Sequence, residues 1–267
     1  MQNIRFSFGE NWKRFLGVLN EERIKEAENS ICEMLGIRDL KGKSFLDIGC
    51  GSGLFSLSAV RLGARVHSFD YDPEAVACAC ELKERYFSKD KIWKIERGSA
   101  LDTDYLKSLG EFDIVYSWGV LHHTGNMWKA LENAQSLVAS GGKLFISIYN
   151  DQGLASKIWL MVKQTYNKLP EAFRFLILYP AFLLLWGPAM VKDMLRLKPF
   201  YKWRNYKSNR GMSAWHDVVD WVGGYPFEVA KPEEIISFYQ KEGFILVKSK
   251  RVGKGLGCNE FLFEKSK

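Results

Sequence analysis

Nine residues constrain this chain more than any others: Phe45-Leu46-Asp47-Ile48-Gly49-Cys50-Gly51-Ser52-Gly53. An apolar strand carrying one carboxylate runs into three alternating glycines. An apolar segment of helical character, Leu54–Val60, follows directly. A strand feeding a glycine turn and then a helix N-terminus is a device for binding nucleoside-like ligands. Glycine permits both the tight turn and the close approach of backbone to ligand. The spacing is G-x-G-x-G, whereas dinucleotide loops use G-x-G-x-x-G, and Leu54 stands where their third glycine falls. A pyrophosphate needs the helix N-terminus aimed at it. A nucleoside without phosphate needs only the close backbone, so Leu54 disfavours a nicotinamide dehydrogenase.

The flanking sequence repeats the strand–helix alternation. Arg65–Asp70 reads as a second strand ending in a carboxylate, 19 residues after Gly51. That is near the spacing of about 20 expected for an acid that holds ribose hydroxyls. The alternative for Asp70, a helix N-cap before Pro73, stays open. Ile92–Ala100 reads as a third strand with its exit loop, and Phe112–Trp118 as a fourth strand. Ala130–Ala139 reads as a helix, Gly141-Gly142 as its break and Lys143–Tyr149 as a fifth strand. Strands alternating with helices predict a parallel α/β sheet.

The segments LDIGCGSG, FDYDPEAV, GSALD, FDIVYSWGVLHH and GGKLFISIYN together resemble the class I S-adenosylmethionine-dependent methyltransferases. Among these the chain most resembles the quinone-biosynthesis O-methyltransferases and related small-molecule methylases. Its VLHH segment is also similar to enzymes that modify wobble uridine in tRNA. The resemblance implies a doubly wound, mostly parallel, seven-stranded Rossmann-like sheet with S-adenosylmethionine as cofactor. It implies that Gly49, Gly51 and Gly53 face the methionine and ribose of that cofactor. Asp47 then holds the loop and reaches the amino group, directly or through water. Asp70 takes the ribose hydroxyls, with Tyr71 packing beside the adenine. Ser99 and Ala100 match the adenine loop, and Ser117 and Trp118 the methionine end. Many relatives have an Asp where Ser99 stands, and Asp102 is the nearby substitute.

The domain reading follows. Residues 1–42 are expected to be N-terminal helices, with Trp12–Asn20 and Glu21–Leu35 at helical spacing and Gly36 as a stop. Trp12 and Lys13 either approach the site or pack on the sheet edge. Residues 43–150 and 232–267 form the cofactor domain, with Pro232–Gly243 its last helix and Phe244–Lys250 and Cys258–Glu264 its final strand pair. Residues 151–231 are an inserted cap.

The cap carries the chain's charge. Residues 151–210 hold 11 Lys or Arg against three acids, a net of +8 where the whole chain has +7. Basicity is therefore local and concerns a partner or substrate. Inside it lies Phe175–Val191, 17 uncharged residues interrupted by Pro180, Gly187 and Pro188. A spanning helix needs about 20 apolar residues, so a short, broken run disfavours a span. A buried cap helix, a homodimer face and an interfacial helix at a membrane surface all stay open. The five cysteines show no metal spacing, and their odd, scattered set indicates reduced thiols. The opening MQNIRFSFGENW lacks a signal-peptide core, which points to a cytoplasmic protein, free or peripheral on a membrane.

Methyl transfer to a hydroxyl requires removal of its proton. His123, after the fourth strand, and His216, in the cap, are the candidate bases; His67 lies inside a strand. Arg210, Trp215, Asp217 and Tyr225 belong to an aromatic, acidic segment that suits acceptor contact; the alternative is a cap docking through its aromatics. The quinone O-methyltransferases tend to place an acid, associated with a divalent metal, where this chain has His122, so no metal is expected. The leading expectation is methyl transfer to a small lipophilic or aromatic hydroxyl acceptor, with a thiol as variant. A tRNA-modifying enzyme and a non-catalytic cofactor-binding or membrane-surface adaptor are the alternatives, nucleic acid being less favoured as partner.

Overall fold

The computed structural model describes residues 5–87, 92–206, 213–253 and 255–266. Its centre is a seven-stranded sheet in the order β3-β2-β1-β4-β5-β7-β6. The strands are β1 Ser44–Ile48, β2 Arg65–Asp70, β3 Trp93–Arg97, β4 Phe112–Trp118, β5 Val138–Tyr149, β6 Phe244–Lys250 and β7 Cys258–Lys265. β7 runs antiparallel to both β5 and β6, while β1 to β5 pair in parallel. This is the doubly wound, mostly parallel sheet that the strand–helix alternation predicts.

The helices are α1 Phe8–Leu16, α2 Glu21–Leu35, α3 Leu54–Arg61, α4 Pro73–Phe87, α5 Thr103–Leu109 and α6 Met127–Gln135, then α7 Leu154–Lys168, α8 Phe175–Leu195, α9 Tyr201–Arg204, α10 Ala214–Gly223 and α11 Pro232–Lys241. Local chemistry sets several of their ends. The Asn20 side chain accepts from the Arg23 amide, and Gly36 ends α2 at φ +67°. Pro73 and Pro232 open α4 and α11, where a missing amide costs nothing.

Side chains of successive strand residues point to opposite faces, so each strand feeds two cores. Phe45, Ile114 and Tyr116 join α2, α3 and α4 on one face; Leu46, Ile48 and Val115 join α6 and α11 on the other. A third apolar cluster lies in the cap, around Trp159, Tyr166, Trp186, Val218 and Val222.

Three local expectations give way. α6 ends at Gln135, before the expected Ala139, and β5 begins at Val138. Gly141 and Gly142 lie within that strand at an irregularity in its pairing with β4 rather than breaking a helix. A Cβ on Gly142 would sit 2.8 Å from the Ala139 carbonyl, so the close chain crossing needs glycine there. The apolar run is not broken: α8 passes through Pro180 and Pro188 as one helix of 21 residues. Both prolines are exposed.

Candidate active site

The C-terminal ends of β1, β2 and β4 open into one cavity of about 1170 Å³. That edge of the sheet is where open α/β folds bind ligands. Ordinary ligand pockets hold about 300–1,000 Å³, so this one has room for a cofactor and a second molecule.

One half is made by the glycine loop. Gly49, Gly51 and Gly53 all have left-handed φ, at 76°, 53° and 80°. A Cβ on Gly51 would lie 2.8 Å from Trp12 Nε1, and one on Gly53 would lie 2.9 Å from Ala79 Cα. Gly51 therefore lets α1 close over the loop, and Gly53 lets α3 and α4 meet; Gly53 does not line the cavity. Most loop amides are already committed. Gly49 and Cys50 donate to the Phe69 carbonyl, Gly51 to Asp70 Oδ2 at 2.9 Å, and Gly53 to the Cys50 carbonyl. A pyrophosphate needs free amides. The loop offers backbone surface instead, which fits S-adenosylmethionine and not a dinucleotide.

Asp70 lines the cavity and accepts from the amides of Gly51 and Asp72, each at 2.9 Å. It is thus more than a helix cap. Burial pushes its carboxyl up to about 6, against the pull of those backbone donors. Asp47, also at the cavity, accepts from the Ser56 hydroxyl. Burial drives its carboxyl up to about 7, and the neighbouring Asp70 adds to the rise. Each acid favours a ligand that brings it donors or positive charge. Tyr71 lies exposed at the rim, with the Arg5 guanidinium 4.7 Å over its ring. Ser99 and Ala100 line the same end.

Two expected cofactor contacts are elsewhere. Ser117 does not line the cavity; its hydroxyl donates to the Ile48 carbonyl at 3.0 Å and ties β4 to β1. Asp102 caps α5 through the Tyr105 amide and is likewise off the cavity. Trp118 does reach it and donates to Glu260 of β7 at 3.0 Å.

The other half is the cap. Trp186 from α8, Tyr206 after α9, and Asp217, Asp220 and Trp221 from α10 line it, facing His123 and Tyr149. Of the four acceptor residues expected, the structure brings Asp217 there, where it accepts from the Tyr206 hydroxyl at 2.7 Å. Trp215 packs outward against Phe182, and Tyr225 holds the Phe6 amide through its carbonyl; neither lines the cavity. Arg210 lies outside the described residues. Trp12 lines the cavity and Lys13 does not.

The histidines separate sharply. His216 faces Phe15 and pairs its Nδ1 with the Ser213 hydroxyl at 2.8 Å, outside the cavity lining. His122 is fully buried behind Tyr149. His123 is at the cavity, with Nδ1 held 2.6 Å from the Pro226 carbonyl. That bond makes Nδ1 the donor and leaves Nε2 as an acceptor. Burial, with Lys163 nearby, depresses the imidazole to about 3. It is neutral at ordinary pH and a weak base.

Asp220 was not singled out by the sequence motifs. It stands one turn from Asp217, at i, i+3 on one helix face, which was the available signal. Asn11 of α1 donates to its Oδ1 at 2.8 Å. Burial first, then Asp217, holds its carboxyl well above the ordinary range. Behind it the fully buried Lys163 sits among Tyr149, Trp221 and Phe227, with Nζ 4.7 Å from the Phe227 centroid. Burial lowers that amine to about 7. Among the described residues, Trp221 Nε1 is a buried donor without a partner in the protein. No group of three or more His, Cys, Asp or Glu suited to a metal occurs among the described residues.

Known proteins match this architecture. Ubiquinone biosynthesis O-methyltransferases of Xanthomonas euvesicatoria and Xanthomonas oryzae are each 30% identical over 169 residues, 62% of this chain. The match spans 62% of the length of those relatives as well. The crystal structure of magnesium protoporphyrin IX methyltransferase from Synechocystis, with bound S-adenosylhomocysteine, superposes with a TM-score of 0.57 at 14% identity. That comparison covers 96% of this chain and 94% of the other, and it bears on the fold. A family model described as a methyltransferase domain matches residues 19–181, more than half of the chain. With its glycine loop, ribose-spaced acid and sheet order in agreement, the chain belongs to the methyltransferase-domain family, on the class I S-adenosylmethionine-dependent fold.

Proposed function

We propose that the chain transfers a methyl group from S-adenosylmethionine to a hydroxyl of a small, lipophilic, aromatic-type acceptor held under the cap. The observation that carries this is a single cavity joining the Asp70 loop to an aromatic chamber lined by Asp220, whose carboxyl desolvation holds well above the ordinary range. The O-methyltransferase relatives support oxygen as the acceptor atom.

Asp70 and Asp47 hold the ribose and the amino group; Trp12 and Tyr71 close over the ligand. When bound there, S-adenosylmethionine supplies an electrophilic methyl on its sulfonium sulfur. The chain's own task is alignment, dehydration and proton removal, and alignment alone contributes several kcal/mol. Trp186, Tyr149 and Trp221 exclude water. His123 and Asp220 are the groups set to take the hydroxyl proton, because Asp217 is engaged by the Tyr206 hydroxyl and Glu260 by the Trp118 indole. An imidazole held near 3 is a poor base, whereas the Asp220 carboxylate, in the ionised form that the Lys163 amine behind it favours, is made a stronger base by burial. Asp220 therefore takes the proton, and His123 Nε2 orients the acceptor.

The test uses radiolabelled S-adenosylmethionine with catechols bearing apolar side chains, and with unmodified tRNA in parallel. Label transferred to the catechol oxygen is the expected result. Label on tRNA alone, or on neither, overturns the reading.

A further inference from the structure

We propose that the outward face of α8, continued by a stripe on α7, docks in the plane of an anionic lipid bilayer. This goes beyond the methyl-transfer reading, since it holds whatever acceptor is used.

α8 is apolar on both sides, yet only one side is covered. Ala181 and Trp186 are buried against the cap core, with Ile177, Phe182 and Leu185 half-buried beside them. On the other side Leu183 is 63% exposed, Leu184 69%, Met194 63% and Leu195 81%. Leu176 and Tyr179 extend the same face toward the helix start. Leu154, Ile158 and Met161, spaced at helical period on α7, are exposed as well. Water-soluble surfaces rarely leave so much contiguous apolar area uncovered unless something binds it. Glu171–Leu195 is long and apolar enough to cross a membrane. Its covered side, however, packs against α7, α9 and α10 of the folded cap, so the helix lies along a surface and does not pass through it.

Charge identifies the occupant. Lys157 and Lys168 on α7, Lys192 on α8, Arg196 and Lys198 just after it and Arg204 on α9 are all exposed. Between residues 154 and 206, Glu171 is the one exposed acid among the described residues. A second copy of the chain would bring like charges together, because a two-fold interface pairs a patch with itself. An anionic bilayer supplies what both parts of the surface need: hydrocarbon for the apolar face and phosphate for the basic rim. The inner side of the same helix lines the cavity through Leu185, Trp186 and Ala189. One helix, roughly 10 Å across, then separates the lipid surface from the acceptor chamber.

Flotation with phosphatidylcholine vesicles, with and without phosphatidylglycerol, tests this on the full chain without cofactor or acceptor. The parent is expected to float with the anionic vesicles and to be released by raised salt or carbonate. The double variant L183D/L184D should lose more than about tenfold of this binding, and K192E/R196E/K198E should lose its anionic preference. Both variants should keep the parent's melting temperature and S-adenosylhomocysteine affinity, since these side chains touch neither core nor cavity. Absence of vesicle binding by the parent overturns the proposal. Retention through carbonate overturns it in favour of a spanning helix. A parent dimer in light scattering that L183D/L184D dissolves, with no vesicle binding, overturns it in favour of self-association. Methyl-transfer assays play no part in these readouts, so failure here leaves the proposed function standing, and the reverse.

Discussion

The two halves of the cavity are built in opposite ways. The cofactor half comes from short segments at the ends of adjacent strands, and its residues are set by local backbone. Gly51 donates to Asp70, the end of the neighbouring strand, and both lie within one strand–helix–strand unit. The cap half gathers distant chain: His123 after β4, Trp186 from α8, Asp220 from α10 and Glu260 from β7. Asn11 reaches across 209 residues to hold Asp220. A parallel sheet thus prepares a binding edge once its strands pair, whereas an acceptor chamber exists only when the cap has docked. The first half suits a ligand of fixed shape, and the second can vary with the acceptor.

If the halves are separable in this way, changes in one should spare the other. The largest effect is expected for Asp220→Asn, which removes the proposed base. Turnover should fall by about 10²–10⁴-fold while S-adenosylmethionine affinity stays at the parent value. Calorimetry beside a steady-state assay checks both numbers. A matching loss of cofactor affinity would show that the halves are coupled and break the comparison.

Asp70→Ala strikes the other half. Its loss leaves ribose hydroxyls without a charged acceptor and should weaken cofactor binding by about 1.5–3 kcal/mol. The acceptor dissociation constant, measured by equilibrium dialysis, should be unchanged. Unaltered cofactor affinity would remove Asp70 from the site.

Gly53→Ala probes backbone instead of charge. Its φ of 80° is unfavourable for a residue with Cβ, and that Cβ would press on Ala79 Cα at 2.9 Å. Strain and overpacking together should lower stability by about 1–3 kcal/mol. Chemical denaturation reads this directly, and a parent-like midpoint would mean that the loop is not conformationally set.

A pH dependence tests the cofactor half alone. Asp70 and Asp47 are raised to about 6 and about 7 in the ligand-free protein. Ribose donors and a cofactor ammonium favour the ionised carboxylates, so binding releases protons. Affinity should rise as pH increases through 6 and 7 and level off above that range, by up to about tenfold per unit for each coupled proton. For folding the sign is opposite. Raised carboxyl values mean that the folded state holds these protons more tightly, so their contribution to stability falls as pH rises from the ordinary carboxylate range through 7. Titrations of S-adenosylhomocysteine affinity from pH 5 to pH 8 test the first statement. Asp70→Asn should lose the step near 6 and move the step near 7 downward, because the Asp70 charge contributes to that rise.

The same contrast explains what was legible beforehand. β2, β4, β6 and α2 follow from runs of apolar residues and caps such as Asn20 and Gly36, because those signals act over a few residues. Ser117 was matched to the cofactor by position alone; its hydroxyl is instead taken by the Ile48 carbonyl, a partner 69 residues away. His216 has the chemistry of a base, but α10 turns it toward Phe15 and presents Asp217 and Asp220 to the cavity. Helix phase decided that, and phase depends on what the helix packs against.

The sequence by itself determined the glycine loop, the ribose-spaced acid and the alternation that makes the sheet, because each is written in contiguous residues with a short-range physical cause. Tertiary structure alone decided which carboxyl is buried and which histidine is neutral at the cavity. It also left one side of α8 uncovered. Burial, and with it desolvation, is a property of segments brought together from across the chain, and no local pattern specifies that sum.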